Sequence, residues 1–246
     1  MIELNKIYCE DCLVTLSRIE DNSVDLIITS PPYNKNAYAI GGRPDKSWAA
    51  LRGRQIPYDE YNDAMPPQEY ESWQKNVISE CLRVLKPHGS MFYNHKDILV
   101  DGVIVPPKWV YDFSIHQQII WNRGSSLAND IHYFQPISEY IYWIVKSPKK
   151  FFFDKSKAAF RQNIWNINFE INTAHPAPFP KVLVGNIVQC CSKEGDLVYD
   201  PFMGSGTTAL MALRLKRNYI GSEISQAYVN MANKRIKEET AQLTLF

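Results

Sequence analysis

Two short segments, far apart in a chain of 246 residues, carry the side chains best placed to do chemistry. The first is Thr29-Ser30-Pro31-Pro32-Tyr33-Asn34, which follows the apolar run Val24-Asp25-Leu26-Ile27-Ile28. That run reads as a buried parallel strand. The two prolines fix their own φ angles and hold the preceding residue extended, so the chain leaves the strand without entering a helix. Backbone carbonyls are left aimed at a pocket, with the Ser30 hydroxyl beside them and the Tyr33 ring as a flat wall. Such a turn accepts hydrogen bonds from a planar exocyclic amine and stacks the ring that carries it. It describes a site for an amino group on a nucleobase.

The second segment is Leu197-Val198-Tyr199-Asp200-Pro201-Phe202-Met203-Gly204-Ser205-Gly206-Thr207-Thr208-Ala209-Leu210. It reads as a strand, a glycine turn and a helix start. Gly204 and Gly206 allow close backbone approach to a ligand, and Thr207 and Thr208 can cap the helix. Tyr219-Ile220-Gly221-Ser222-Glu223 then forms another short strand ending in a carboxylate, where a βαβ nucleoside site holds ribose hydroxyls. Taken alone, the G-x-G-x-x-A pattern is shared with dinucleotide-binding folds and plain tight turns.

Together the motifs resemble those of amino-group DNA methyltransferases that use S-adenosylmethionine, in the permuted β-type order with the catalytic motif first. Ser30-Pro31-Pro32-Tyr33 matches the family's Asp/Asn/Ser-Pro-Pro-Tyr turn, which makes these four the catalytic residues. Asp200, Pro201, Phe202, Gly204, Gly206, Thr207 and Thr208 match the cofactor motif, and Glu223 the ribose acid. His175-Pro176-Ala177-Pro178-Phe179-Pro180-Lys181 resembles the segment before the cofactor strand, which adds Pro178 and Lys181 to the cofactor residues. Tyr8-Cys9-Glu10-Asp11-Cys12 resembles the acidic turn beside the cofactor adenine, which adds Asp11 and Cys12. The likeness runs from residue 5 to residue 236.

That resemblance implies an α/β, Rossmann-like methyltransferase fold: a mostly parallel seven-stranded sheet with helices on both faces and circularly permuted motif order. The activity implied is methylation of the exocyclic amine of a base flipped out of duplex DNA. Ser30 Oγ and the Pro31 carbonyl would draw the nitrogen toward tetrahedral geometry, and Tyr33 would stack on the base. The released proton is expected to go to solvent. Family members with Ser first more often methylate cytosine N4, so cytosine is favoured slightly over adenine N6. The same resemblance allows a cognate restriction endonuclease as partner and either a monomer or a homodimer. Methylation of RNA or of a protein glutamine is the rival from another class, though there the cofactor motif normally comes first. A DNA-binding regulator that has lost catalysis would break the turn or the glycines, and both are intact.

Composition agrees with one enzyme domain. The length suits a single α/β core. No stretch approaches the ~20 apolar residues of a membrane span, and the first residues lack a signal peptide's apolar core, so a cytoplasmic protein is expected. Five cysteines suggest reduced thiols; Cys9 and Cys12 form a C-x-x-C without a second metal-like pair, and no metal is expected. No Pro-Cys dipeptide is present, which leaves attack at cytosine C5 without a nucleophile.

A net charge of +1 announces no nucleic-acid partner, so distribution must. Lys146, Lys149, Lys150, Lys155, Lys157 and Arg161 surround the aromatic run Phe151-Phe152-Phe153. For any one lysine a solvated strand face is the plainer reading; the cluster reads as a small DNA-recognition segment at about 146–165. Residues 35–67, with Arg43, Arg52 and Arg54, have little periodicity and read as a DNA-facing loop, or as a surface loop without base contacts. The remainder is scaffold. A helix is expected over Glu69–Leu85, stopped by Lys86-Pro87-His88-Gly89, and another over Val182–Cys191, with strands at Ser90–Asn94, Ile115–Trp121 and Glu139–Val145. Trp121 and Trp143 read as sheet packing, and His88, His95, His116 and His132 as surface or hydrogen-bonded positions.

Overall fold

A computed structural model of the chain describes residues 2–34, 64–100, 103–125, 134–168 and 179–243. Its first half runs β1 (Lys6–Cys9), α1 (Cys12–Leu16), β2 (Val24–Thr29), α2 (Pro67–Val84) and β3 (Leu85–His95), then a separate hairpin of β4 (Ile98–Val100) and β5 (Val103–Val105). The second half runs β6 (Ile115–Asn122), β7 (Ser138–Val145), β8 (Ile164–Asn166), α3 (Lys181–Cys191), β9 (Leu197–Asp200), α4 (Thr207–Arg214), β10 (Asn218–Glu223) and α5 (Gln226–Leu243). The main sheet has the order β1-β10-β9-β2-β3-β7-β6-β8. Strands β1, β10, β9, β2 and β3 are mutually parallel, while β7 is antiparallel to both β3 and β6. The resemblance implied seven strands. The eighth is the three-residue β8, added parallel to β6 at one edge.

Burial on both faces explains why β2 is apolar without alternation. Leu26 and Ile28 face one core with Phe92, Trp143, Val198 and the α3 residues Leu183, Val184 and Ile187. Ile27 faces the other with Met91, Tyr93, Tyr199 and the α2 residues Val77, Ile78 and Cys81. Successive side chains thus serve opposite layers. Trp121 and Trp143 are buried and donate to the Ile167 carbonyl and Ser90 Oγ, so both are packing residues as expected.

One boundary differs from the sequence reading. Lys86-Pro87-His88-Gly89 does not form a loop after the helix; α2 passes directly into β3 at Leu85. The register against β2 shifts between Val24 and Leu26 to absorb this. A Cβ on Gly89 would lie 2.7 Å from the Asp25 carbonyl oxygen, so glycine is what lets the strands approach there.

Between β9 and α4 the chain turns through Gly206 at φ +81°. A Cβ there would meet Ala232 Cβ at 2.7 Å and Ala232 Cα at 3.2 Å. Gly206 therefore serves the docking of α5 against the turn, a role added to the ligand approach expected from the sequence. Gly206→Ala is expected to cost about 1–3 kcal/mol through left-handed strain and crowding, read as a lower urea midpoint. An unchanged midpoint would show that α5 does not rest on this turn.

Candidate active site

Pairing of β2 with β9, through Leu26–Val198 and Ile27–Tyr199, sets the two motifs side by side. From β2 the chain crosses to β3 on one side, and from β9 to β10 on the other. A crevice outside the carboxyl ends of these strands is the expected ligand site of an open α/β sheet. Ser30–Tyr33 and Asp200–Thr208 both occupy that edge, as does Glu223 at the end of β10.

On the β9 side the acids first hold the turn. Asp200, buried, accepts from Thr208 Oγ1 at 2.6 Å and from the Phe202 amide at 3.0 Å. Burial raises its pKa to about 6, partly offset by those two hydrogen bonds. Glu223 accepts the Gly204 amide at 2.9 Å on one oxygen and the Ser225 amide at 2.9 Å on the other, and a carboxylate oxygen can accept more than one hydrogen bond. Thr207 Oγ1 is buried with no hydrogen-bond partner among the described residues. An orphan hydroxyl, uncapped amides at a helix start and a carboxylate at the neighbouring strand end fit a polar nucleoside ligand. Phe202 meets Trp73 edge-on at 5.6 Å.

The 9–12 turn joins this edge, since the Glu10 amide donates to the Glu223 carbonyl at 3.1 Å. Asp11 caps α1 through the Leu13 amide at 2.8 Å. Cys12 is a correction: its side chain is buried in the core, where burial pushes the thiol pKa up, so it packs rather than lines the crevice. Lys181 opens α3. Pro178 lies outside the described residues, as do Arg43, Arg52, Arg54 and His132.

On the β2 side the turn is tied into β3 and β7 by groups the sequence reading did not single out. Ser30 Oγ lies 3.0 Å from Tyr33 Oη, which donates to Glu139 Oε2 at 3.1 Å. Asn94 Nδ2 donates to Tyr33 Oη at 2.6 Å and to Glu139 Oε2 at 2.8 Å, and Arg123 meets Glu139 Oε1 at 3.0 Å. Glu139 and Asn94 are 7% and 1% exposed. Burying an ion pair this deeply is costly, and the cost is only partly met: Arg123 Nε and Asn94 Oδ1 are buried without a hydrogen-bond partner among the described residues. Behind it, Tyr70 Oη is 2.6 Å from the Pro32 carbonyl oxygen and 3.0 Å from His95 Nε2, while His95 Nδ1 faces the Lys96 carbonyl at 2.7 Å. Burial lowers the His95 pKa to about 3, so the ring is neutral, with Nδ1 donating to the Lys96 carbonyl; the single Tyr70 hydroxyl proton goes to the Pro32 carbonyl.

The basic segment is the second correction. Because β7 is antiparallel to β3, Glu139 begins at the catalytic edge and Lys146 emerges at the opposite one, donating to the Leu85 carbonyl at 2.7 Å. Lys150 lines a recess there with Asp25, Lys86 and His88, next to Lys149. Lys155 and Lys157 follow Asp154, whose amide donates to the Cys190 carbonyl at the far end of α3. Arg161 is exposed on the return to β8. Phe151 packs on Trp143 and Phe160 stacks on Trp165, while Phe153 touches the Trp143 ring but stays exposed. Strand direction thus places Lys146 at the edge opposite Ser30, with Lys149, Lys150, Lys155 and Lys157 following it, while Arg161 lies on the segment that runs back through β8 toward the catalytic edge.

Among the described residues no group of three or more His, Cys, Asp or Glu is placed to hold a metal ion, and no helix is long and apolar enough to cross a membrane.

An amine-accepting turn and a nucleoside-type turn sharing one crevice define a group-transfer enzyme acting on a base. A family model described as DNA methylase (N6_N4_Mtase) matches residues 24–234, and the chain belongs to that family. It is 32% identical over 274 aligned residues to Type II methyltransferase M.BglII of Bacillus subtilis, covering 96% of this chain and 70% of that protein. Against Type II methyltransferase M.HinfI of Haemophilus influenzae the identity is 31% over 255 residues, covering 96% and 69%. Two solved structures share the fold. PvuII DNA methyltransferase (cytosine-N4-specific) superposes with a TM-score of 0.74 at 21% identity, over 97% of this chain and 92% of that one. TTHA0409 of Thermus thermophilus, in complex with S-adenosyl-L-methionine, gives 0.67 at 23%, over 95% and 93%.

His95 and Asp200 act oppositely on stability. His95 stays neutral when folded but protonates when unfolded below about 6.5, so its contribution is lost as pH falls from there toward about 3. Asp200 binds its proton more tightly when folded, so stability falls as pH rises from about 4 to about 6. His95→Gln should therefore lose less urea midpoint between pH 7.5 and pH 5 than the parent does. An equal loss would show that His95 is not held neutral.

Proposed function

We propose that this DNA methyltransferase moves a methyl group from S-adenosylmethionine to the N4 amine of cytosine in duplex DNA. The observation that carries the amine reading is the junction of Ser30–Tyr33 and Asp200–Thr208 across β2 and β9. The cofactor supplies a methyl group bonded to a positively charged sulfur. On the chain's side, Glu223 offers its carboxylate oxygens to ribose hydroxyls, Asp200 balances positive charge, and Gly204, Thr207 and Thr208 present the helix start. Phe202, Pro201, Asp11 and Lys181 border the same space. The relatives' Type II names support action at a specific site, with a paired restriction endonuclease as the natural partner.

Ser30 supports cytosine. Its neutral hydroxyl and the Pro31 carbonyl accept hydrogen bonds from the target amine and localise the lone pair that attacks. Reaching that amine requires flipping the base at a cost of a few kcal/mol. Stacking on Tyr33, about 1–3 kcal/mol by analogy with single-strand binding, offsets part of it.

The test is to incubate the protein with S-adenosylmethionine and mixed-sequence duplex DNA, digest to nucleosides and identify the product by mass spectrometry. N4-methylcytosine is expected; N6-methyladenine would keep the amine mechanism but refute Ser30 as the selector, and neither product would refute DNA methylation. Glu223→Gln should weaken S-adenosylmethionine binding roughly tenfold by calorimetry, about 1.4 kcal/mol, with DNA binding unchanged. Unaltered affinity would remove Glu223 from the cofactor site.

A further inference from the structure

We propose that Glu139 sets the direction of the hydrogen bonds reaching Ser30 and receives, through Tyr33, the proton that the target amine must lose. The proposal rests on the amine-methylation reading. An ionised carboxylate only accepts hydrogen bonds, so Tyr33 Oη, 3.1 Å from Glu139 Oε2, must donate to it. Asn94 Nδ2, a pure donor, fills one acceptor position on Tyr33 Oη at 2.6 Å and a second on Glu139 Oε2 at 2.8 Å. Ser30 Oγ, 3.0 Å from Tyr33 Oη, can then only donate to it. Asn94 Nδ2 at 3.4 Å is its other neighbour and is also a donor. The Ser30 proton is thereby committed inward, and its lone pairs are left to accept from the amine. A serine able to rotate would present its proton to the amine as readily as its lone pairs. Arg123 supplies the charge that a buried carboxylate needs.

The same chain of hydrogen bonds offers a path for a proton. As the amine nitrogen bonds to the methyl carbon, the carbon–sulfur bond breaks and its electron pair stays on sulfur. The nitrogen then carries one proton too many. That proton passes to Ser30 Oγ while the Ser30 proton moves to Tyr33 Oη and the Tyr33 phenolic proton to Glu139 Oε2. Ser30 and Tyr33 end neutral, as they began, and Glu139 ends as a neutral acid that loses its proton to solvent between turnovers. Direct release to water, the expectation from sequence, is replaced by a three-residue path. Glu139 touches neither substrate nor cofactor, so it is a positioning residue that acts through Tyr33.

Single-turnover methylation of duplex DNA with saturating S-adenosylmethionine tests this in Glu139→Gln, Tyr33→Phe, the double variant and Glu139→Asp. Each of the first two should slow transfer at least tenfold while the affinities for S-adenosylmethionine and DNA stay within twofold. Tyr33→Phe keeps the stacking ring, so its loss reports the hydroxyl. The double variant should be no slower than the slower single, because both interrupt one path, and Glu139→Asp should recover part of the rate. Losses that multiply in the double variant, or a Glu139→Gln rate within twofold of the parent, would overturn the proposal alone. A parent protein that transfers no methyl to DNA would overturn it together with the function it rests on.

Discussion

Parallel contact between β2 and β9 is the constraint on which the site depends. Neither strand carries the proposed site by itself: one ends in the Ser30–Tyr33 turn and the other in the Asp200–Thr208 turn. Held in register through Leu26–Val198 and Ile27–Tyr199, both end at one edge. The crossovers then diverge, which keeps helices out of the space between the turns. The double-faced burial of β2, with Leu26 and Ile28 in one core and Ile27 in the other, is what makes this contact hard to shift.

Acidic side chains do most of the ordering at that edge. Asp200 is engaged by an amide of its own turn, and Glu223 by the Ser225 amide beside it and the Gly204 amide of the neighbouring turn, so the two turns are tied together. Glu139 holds the Ser30–Tyr33 turn in the same way, accepting the Tyr33 hydroxyl. Preorganised acceptors of this kind cost nothing to reorient at the moment of reaction.

Sequence revealed what is local and hid what pairing creates. Ser30–Tyr33 and Asp200–Thr208 were legible because proline and glycine declare their backbone roles within a few residues. The α2 and α3 helices and strands β2, β6, β7, β9 and β10 followed from apolar pattern. Glu139, Asn94 and Arg123 were not legible, since each is an ordinary strand-end residue until β3, β6 and β7 are laid together. The one available signal was an acid opening an otherwise apolar strand, Glu139 before Tyr140-Ile141-Tyr142-Trp143. The lysines of 146–157 misled for the converse reason. Their composition suits DNA, but an antiparallel strand delivers them to the wrong edge, and the aromatic residues beside them are used in packing. The packing role of Gly206 was hidden because its neighbour Ala232 is supplied by a helix later in the chain.

The crevice also divides labour. In the proposed function, cofactor-side groups would come from β1, β9, β10 and their helices, and the amine-side network from β2, β3, β6 and β7. The two sets share a sheet but few side chains. Substitutions that alter which base is accepted can therefore accumulate on one flank while the other stays under unchanged selection. A single scaffold can in this way diversify its targets over evolutionary time without rebuilding its source of methyl groups.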